Sequence, residues 1–402
     1  MANNNKHTGP NVPALRFPEF SGEWIESKLG DIADFSKGAG ISKDQRSEEG
    51  NPCILYGELY TRYKSEVITN VFSKTALPDS ELVKSKANDI IIPASGETAE
   101  DIATARCVPF DNILLGGDLN IIRLHEQDGK FFSYQLNGVR KYDIATVAQG
   151  VSVVHLHAGD LKGITVKYPS HIAEQEKISQ ILGLIDDRIA TQSKIIEDKE
   201  TLYKAIIDKH FKEIRKNDAI QEVYLSNVFK ERVEYSSNDG VFPHASLTKE
   251  GVSIKTDRYN RDFLVKDTDK QYKVTRINDI CYNPANLKFG VITRNKVGTL
   301  IFSPIYVTFE VRNGYDPAYI ELMVTNSDFI NKILRFQEGT VYERMAVSSE
   351  DFLSESCKIP DLEIQTEFSA HVSKIEQSIQ VEKKYLESIR RIKNYILEAM
   401  FI

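Results

Sequence analysis

Residues 174–211 read EQEKISQILGLIDDRIATQSKIIEDKETLYKAIIDKHF, and this stretch near the middle of the chain decides the fold. Alternating steps of four and three residues from Ile178 fall mostly on apolar side chains, which is the spacing of a coiled-coil seam. The stretch contains no proline and only one glycine, Gly183, which costs roughly 1 kcal/mol of helix propensity. The pattern therefore predicts a helix about 50–60 Å long that packs against a second helix. Its seam positions are Ile178, Leu182, Ile185, Ile189, Gln192 and Ile196.

The same pattern returns 190 residues later, in residues 364–401. Two apolar seams in one register indicate an internal repeat. Both seams carry a polar residue at the same step, Gln192 and Glu382. Polar residues in a seam can fix the register of two helices, although a plain imperfection of the seam explains them equally well. The positions of the second seam are Phe368, Val372, Ile375, Ile379, Glu382 and Leu386.

Shorter matches extend the repeat upstream of both helices. Asn88-Asp89-Ile90 matches Asn278-Asp279-Ile280, and a proline, Pro169 or Pro360, stands shortly before each helix. Between such matches the two copies differ greatly. We therefore predict an N-terminal tail (1–20), a first globular domain (21–170) with its long helix (171–216), and a second globular domain (217–360) with its long helix (361–402).

Both globular halves alternate short strand-like and helical segments, which predicts a mixed α/β fold class. The first helix leads the chain into the second domain, and the second helix must then run back beside the first. We expect two globular domains joined and separated by two long antiparallel coiled-coil helices, related by a pseudo-twofold axis. The predicted strands are 89–92, 119–123, 151–154, 301–302 and 306–310, and the predicted helical segments are 131–139 and 319–336.

Composition restricts the functional class. Hydrophobic residues make up 41% and charged residues 27% of the 402 residues, as in a globular protein. The net charge of −7 argues against a surface that binds nucleic acid everywhere, but leaves room for a local basic cleft. The four cysteines are widely spaced and indicate buried thiols of a cytoplasmic protein. No apolar run approaches the roughly 20 residues of a membrane span, and the first ten residues are polar.

The motifs of common enzyme classes are missing from the sequence. There is no GxxxxGK[ST] phosphate loop and no GxGxxG nucleotide motif. His155 and His157 could share a strand face, but no other ligand stands near them in sequence to complete a metal site. Asn283-Pro284-Ala285-Asn286 only approaches the Asn-Pro-Pro-aromatic motif of adenine methyltransferases. We therefore predict a chain without catalytic, cofactor or metal residues of its own.

Candidate binding residues are basic, aromatic and small polar side chains in predicted loops. Arginine and lysine contact phosphates, and arginine also pairs with guanine edges. Each of these residues could equally be an ordinary solvated loop residue. The candidates are Tyr60, Arg62, Lys64, Ser95 and Thr98 in the first half, and Arg258, Arg261, Asn286 and Lys288 in the second.

The chain as a whole resembles the specificity subunits of type I restriction-modification enzymes. The resemblance rests on LRFPEF (15–20) followed by Trp24 and KLGDI (28–32), on NDIIIPASGET (88–98), and on the region from Pro169 to Asp186. The second copy departs from the pattern in part, with Asn227-Val228 and Gln365-Thr366-Glu367. These departures put detail in the second half in doubt, but not the overall plan.

The resemblance implies a DNA-recognition subunit that is not itself an enzyme. Each globular domain would be a target-recognition domain that reads one half of a split double-stranded DNA target. The helices would set the spacing and dock two methyltransferase subunits, which would bind S-adenosylmethionine. Separate restriction motor subunits would use ATP and Mg²⁺. Two alternatives remain: a coiled-coil scaffold whose end domains bind proteins or small ligands, and a nuclease or methyltransferase in its own right.

Overall fold

The computed structural model describes residues 11–78, 82–150, 153–237, 241–255, 271–336 and 346–402. The chain divides into two compact units. Unit 1 is formed by Met1–Lys194 and Lys384–Ile402, and unit 2 by Ile195–Lys383. Each unit therefore combines one globular region with parts of both long helices. No helix in the described residues has the length and apolar content that crossing a membrane requires.

Unit 1 is built from short strands and helices that lead into the first long helix, α7. The strands are β1 (Ile25–Lys28), β2 (Ala33–Lys37), β3 (Asn51–Ile54), β4 (Ser73–Thr75), β5 (Asp89–Pro93), β6 (Ser95–Gly96), β7 (Arg106–Val108), β8 (Leu114–Leu115), β9 (Leu119–Leu124), β10 (Val154–His155) and β11 (Thr165–Tyr168). The helices are α1 (Leu29–Ile32), α2 (Glu58–Thr61), α3 (Ala99–Ile102), α4 (Gly129–Asn137), α5 (Lys141–Val147), α6 (Ala158–Lys162) and α7 (Ile172–Lys216). Residues Lys43–Gln45 form a 3₁₀ turn.

An antiparallel sheet in the order β2-β9-β5-β7 separates two apolar cores of unit 1. Ile90 and Ile92 of β5 lie in the core that contains Phe131 and Phe132 of α4. Ile91 lies in a second core, with Ile54, Leu59 and Tyr63. Because successive side chains of a strand point to opposite faces, a strand between two cores is apolar at every position. This explains the uninterrupted run of isoleucines in β5.

Unit 2 repeats this plan and ends in the second long helix, α12. The strands are β12 (Glu222–Tyr224), β13 (Phe229–Glu231), β14 (Tyr235–Ser236), β15 (Ala245–Thr248), β16 (Gly251–Ile254), β17 (Tyr272–Thr275), β18 (Ile280–Tyr282), β19 (Ile292–Arg294), β20 (Leu300–Phe302), β21 (Val307–Val311) and β22 (Ser356–Lys358). The helices are α8 (Leu225–Val228), α9 (Pro317–Thr325), α10 (Ser327–Ile333), α11 (Ser349–Ser354) and α12 (Leu362–Met400), with 3₁₀ turns at Pro284–Phe289 and Leu334–Phe336.

The sheets confirm the internal repeat. The order β13-β21-β18-β19 in unit 2 corresponds to β2-β9-β5-β7 in unit 1, and the pair β12-β22 corresponds to β1-β11. The strands predicted at 89–92, 119–123, 301–302 and 306–310 are present. The predicted helical segment 319–336 is divided between α9, α10 and a 3₁₀ turn. Of the strand predicted at 151–154, residues 151 and 152 lie outside the described residues, and β10 begins at Val154.

The repeated Asn-Asp-Ile sequence has the same structural role in both units. Asn88 and Asn278 adopt left-handed backbone conformations with φ of 81° and 71°, which asparagine tolerates better than most residues. The next residue begins or directly precedes the central strand, and its carboxylate accepts a backbone N–H three residues earlier, at 2.8 Å for Asp89 and 2.7 Å for Asp279. Each carboxylate also accepts two hydrogen bonds from one arginine. These arginines are Arg123 and Arg232.

The two long helices pack antiparallel within each unit. In unit 1, Lys393 of α12 contacts Asp186 of α7 at 2.6 Å. In unit 2, Lys383 contacts Glu200 at 2.6 Å, and Lys199 contacts Glu382 at 2.7 Å. All twelve predicted seam residues are buried or half-buried, so the prediction of paired long helices is confirmed.

A buried glutamine ties the start of each long helix to its globular region. The amide of Gln175 donates to the carbonyl of Pro169 at 2.9 Å and accepts the backbone N–H of Asp128, which caps α4, at 3.0 Å. Gln365 makes the same two bonds in unit 2, to Pro360 at 2.7 Å and from the cap of α9 at 2.9 Å. Both glutamines are nearly inaccessible, so both clamps lie in low dielectric, where an amide hydrogen bond is costly to lose. The cap of α9 is Asp316.

The end of α12 closes the core of unit 1. Phe401 is 3% exposed, and its ring centroid lies 4.9 Å from that of Phe131 and 6.4 Å from that of Trp24. In unit 2 the end of α7 has the same role. The ring centroid of Phe211 lies 5.3 Å from that of Tyr319. Each core is thus completed by a long helix that begins in the other unit.

We predict that Phe401→Ala destabilises the protein although it lies next to the last residue. Removing a buried phenylalanine side chain costs about 3–5 kcal/mol, so the midpoint of thermal unfolding should fall by several degrees. The control is Tyr395→Ala on the same helix, where the side chain is 65% exposed and little should change. Equal midpoints for the two variants would contradict the packing described for Phe401.

Candidate nucleic-acid interface

The candidate residues Tyr60 and Arg62 lie together at the end of α2 in unit 1. Glu58, which begins this helix, is only 5% exposed and organises the surrounding side chains. Its carboxylate accepts hydrogen bonds from the backbone N–H of Leu55 at 3.2 Å, from Nη1 of Arg62 at 3.0 Å and from the hydroxyl of Ser73 at 2.5 Å. The buried carboxylate therefore fixes one edge of the exposed guanidinium group.

Arg62 is also held on one face. Its guanidinium carbon lies 4.8 Å from the ring centroid of Phe72, a cation–π arrangement. Nη1 makes a second contact, to the Ser73 hydroxyl at 3.3 Å. Among the described residues, Nε and Nη2 of Arg62 have no hydrogen-bond partner. Two donors of a positioned arginine are thus left for a ligand.

Arg62 and Tyr60 line a cavity of about 780 Å³ on unit 1. Burial raises the pKa of the Tyr60 hydroxyl, and the nearby Tyr56, Glu97 and Asp101 raise it further. The cavity holds the phenol in its neutral form, which both donates and accepts hydrogen bonds. The lining of this cavity combines aromatic, cationic and anionic side chains at one concave surface.

The same cavity contains two basic residues that the sequence did not single out. Lys43 and Arg46 lie on and just after the 3₁₀ turn, are exposed, and have no carboxylate partner among the described residues. In the sequence they are two charges in a polar stretch, and only the fold places them beside Tyr60 and Arg62.

The other candidates of unit 1 have different surroundings. Lys64 is exposed, and its ammonium group donates to the carbonyl of Thr61 at 3.0 Å. Ser95 is 8% exposed in β6, which pairs with β10, so it presents little surface. Thr98 is exposed and caps α3 by accepting the backbone N–H of Asp101 at 3.1 Å. Next to it, Glu97 reaches the cavity that contains Arg62.

In unit 2, Asn286 and Lys288 are exposed on the 3₁₀ turn between β18 and β19. Lys288 lies 5.0 Å from the ring centroid of Phe289, which is 61% exposed, and both line a cavity of about 890 Å³. The neighbouring Arg294 and Lys296 are both paired with Glu321. The candidates Arg258 and Arg261 lie outside the described residues.

Among the described residues, no group of three or more histidine, cysteine or carboxylate side chains could hold a metal ion. His155 and His157 stack with ring centroids 6.5 Å apart and have no third ligand among those residues.

Comparison with known proteins identifies the family. Residues 21–198 match the model of the type I restriction modification DNA specificity domain. Residues 21–198 therefore belong to the family of type I restriction-modification DNA specificity domains. Members of this family provide DNA target specificity, and the specificity subunit is the non-catalytic subunit of its complex. No curated protein matches the chain in sequence.

Solved structures show the same fold over almost the full length. The S subunit of a type I restriction-modification system from M. genitalium is 16% identical, with a TM-score of 0.60 over 97% of this chain and 99% of that one. A structure from a study of complex assembly and conformational transition of the type I R-M system is 12% identical, with a TM-score of 0.55 over 93% and 96% of the two chains. At these identities the likeness concerns the fold alone.

A buried polar cluster joins the specificity domain of unit 1 to its long helices. Lys393 contacts both Glu66 and Asp186 at 2.6 Å, and the hydroxyl of Tyr134 donates to Asp186 at 2.7 Å. Burial and the nearby Glu66 raise the pKa of Asp186 to about 6, although Lys393 and Tyr134 partly offset this. The cluster links a loop of the domain, α4, α7 and α12 through hydrogen-bonded charges.

We predict that Asp186 makes the protein less stable as the pH rises from about 4 to about 6. The folded chain binds this proton more tightly than the unfolded chain, whose ordinary pKa is 3.8, so ionisation favours unfolding. Asp186→Asn should reduce the loss of unfolding free energy between pH 4.5 and pH 7, measured by urea denaturation. Asp187→Asn, an exposed neighbour, is the control. An unchanged pH dependence in Asp186→Asn would refute the assignment.

Proposed function

We propose that each globular domain reads one half of a split double-stranded DNA target. The observation that carries this proposal is one scaffold with two different sets of surface residues. The connection from β5 to β7 in unit 1 and that from β18 to β19 in unit 2 occupy equivalent places in equivalent sheets. One carries Glu97 and Thr98, and the other carries Asn286 and Lys288. A constant frame with different polar groups is what two separate base sequences require.

The energetics of DNA recognition favour a split target. A mismatched base pair costs roughly 1–3 kcal/mol, and such costs add for separated positions. A single small domain that contacts a few base pairs therefore discriminates poorly among the sites of a genome. Two rigidly coupled domains add their energies and also require the correct distance between the half-sites.

We further propose that the long helices set that distance. Helix α7 has 45 residues, about 68 Å at 1.5 Å per residue. This length is compatible with half-sites one to two DNA turns apart, at roughly 34–36 Å per turn. In the complete enzyme, the methyltransferase subunits would supply S-adenosylmethionine chemistry and the restriction motor subunits would use ATP and Mg²⁺. The whole complex would act in the cytoplasm, where the DNA of the host lies.

We predict that replacing residues 21–170 with the corresponding domain of a relative changes one half of the methylated sequence and leaves the other half unchanged. The measurement is single-molecule methylation sequencing of host DNA that carries the hybrid chain with its methyltransferase subunits. The reciprocal control replaces residues 217–360 and should change the other half. An unchanged motif in both hybrids would rule out the proposal.

Exposed apolar side chains on α12 suggest where a methyltransferase subunit docks. Tyr385, Ile392 and Tyr395 are 43%, 54% and 65% exposed and, at spacings of seven and three residues, lie on one face of the helix. Exposed apolar groups in a row are typical of protein interfaces. The positions 190 residues earlier carry smaller apolar residues, among them Leu202, which is 56% exposed. Two related faces on two helices suit two copies of one partner.

We predict that the double variant Ile392→Glu, Tyr395→Glu weakens methyltransferase binding at least tenfold. Two charges would be buried without partners at an apolar interface, while the exposed positions should tolerate them in the free subunit. Co-purification and titration by analytical ultracentrifugation measure the loss. Tyr142→Glu, at a residue that is 80% exposed on α5, is the matched control. Full binding by the double variant would place the docking surface elsewhere.

A further inference from the structure

We propose that Arg62 reads a guanine in the half-site of the first domain and that Glu58 is the residue that positions it. This inference rests on the proposed function, because it concerns the same DNA-reading surface. It goes further by naming the base, the side chain that recognises it and the side chain that prepares the contact.

The protein itself holds the guanidinium group of Arg62 in place. A flexible arginine side chain ordinarily loses rotamer entropy when it is immobilised in a contact. Here the bond to Glu58 at 3.0 Å, the contact with Ser73 at 3.3 Å and the Phe72 ring at 4.8 Å hold the guanidinium group in place. A binding surface gains affinity and selectivity when its contacts are already ordered.

The guanidinium group of Arg62 keeps two nitrogens that can donate to a ligand. Both protein hydrogen bonds of the guanidinium group use Nη1, and Nε and Nη2 have no partner among the described residues. These two nitrogens form one edge of the planar group and donate in parallel. Guanine presents two acceptors, O6 and N7, on its major-groove edge, and the bidentate pairing of arginine with them is the commonest specific protein–DNA contact.

The charge of the Arg62–Glu58 pair favours contact with a base over contact with a phosphate. Arg62 is paired with a buried carboxylate, so the pair carries little net charge and attracts phosphate weakly. The remaining N–H groups of Arg62 still point in a fixed direction, as hydrogen bonds to the edge of a base require. Lys43 and Arg46 line the same cavity, are exposed and have no carboxylate partner among the described residues. They are better suited to phosphates than Arg62 is.

Glu58 has the features of a positioning residue. It is 5% exposed and itself anchored by the Leu55 backbone and by Ser73, so it cannot follow Arg62 if that side chain moves. It stands four residues before Arg62, a spacing at which side chains of a helical turn meet. Because Glu58 is almost completely buried, it would act through Arg62 and not by contacting the base itself.

The test compares the methylated motifs of Arg62→Ala, Arg62→Lys and Glu58→Gln with that of the intact chain, each in the complex with its methyltransferase subunits. Arg62→Ala should lower the preference for guanine at one position of the first half-site by about five- to a hundredfold. Arg62→Lys should restore it only in part, because an ammonium group lacks the planar pair of donors. Glu58→Gln keeps the side-chain size and should relax the same position more mildly.

The control is Arg46→Ala, which should lower methylation at all sites without changing the motif, as loss of a phosphate contact does. The second half-site is an internal check of folding, since a misfolded chain would lose both halves. A motif that stays intact in Arg62→Ala would overturn the inference. So would a first half-site, assigned by the domain replacement, without a G·C pair. Failure of the proposed function looks different, because the intact chain would then yield no bipartite motif.

Discussion

The structure depends on one constraint: each long helix is too long for a single unit to bury the whole of its apolar face. Ile178 and Leu182 near the start of α7 lie in the core of unit 1, while Ile207 and Phe211 near its end lie in the core of unit 2. Helix α12 does the reverse, with Val372 in unit 2 and Met400 in unit 1. Each unit is therefore incomplete without a segment from the other copy of the repeat. The duplication cannot be divided into two self-sufficient halves.

The glutamine clamps show how such a frame accommodates different domains. Among the described residues, the side chains of Gln175 and Gln365 bond only to backbone groups, namely a proline carbonyl and the N–H of a helix cap. Backbone groups are the same whatever side chains the domain carries. A domain whose surface residues change can therefore keep its attachment to the long helix. The polar cluster around Lys393 is different, because it relies on the side chains of Glu66 and Tyr134, which belong to the domain of unit 1 alone.

The sequence predicted those features that follow from local patterns. Heptad spacing predicted both long helices and their buried seam, and the Asn-Asp-Ile repeat marked two equivalent strands. It did not indicate the importance of Gln175 and Gln365, because their partners are 47 and 49 residues away along the chain. The candidate site was predicted in part. Tyr60 and Arg62 share a cavity, but Lys43, Arg46 and Glu97 join them only through tertiary packing. The sequence did not single out Glu58, whose role follows from its burial and from its contacts with Arg62 and Ser73.

Much of the positive charge of this acidic chain is used in ion pairs within the protein. Arg16 is paired with the buried Glu174, Arg123 with Asp89 and Arg232 with Asp279. Paired arginines contribute little to the long-range field that attracts phosphates. On the proposed function, affinity that depends on charge would come mainly from partner subunits or from residues such as Lys43 and Arg46, which have no carboxylate partner among the described residues. On the proposed function, the globular domains would supply what electrostatic attraction cannot, namely hydrogen bonds of fixed direction at base edges. Arg62 is an example. Its pairing with Glu58 leaves the pair with little net charge but fixes the direction in which the remaining N–H groups of the guanidinium point.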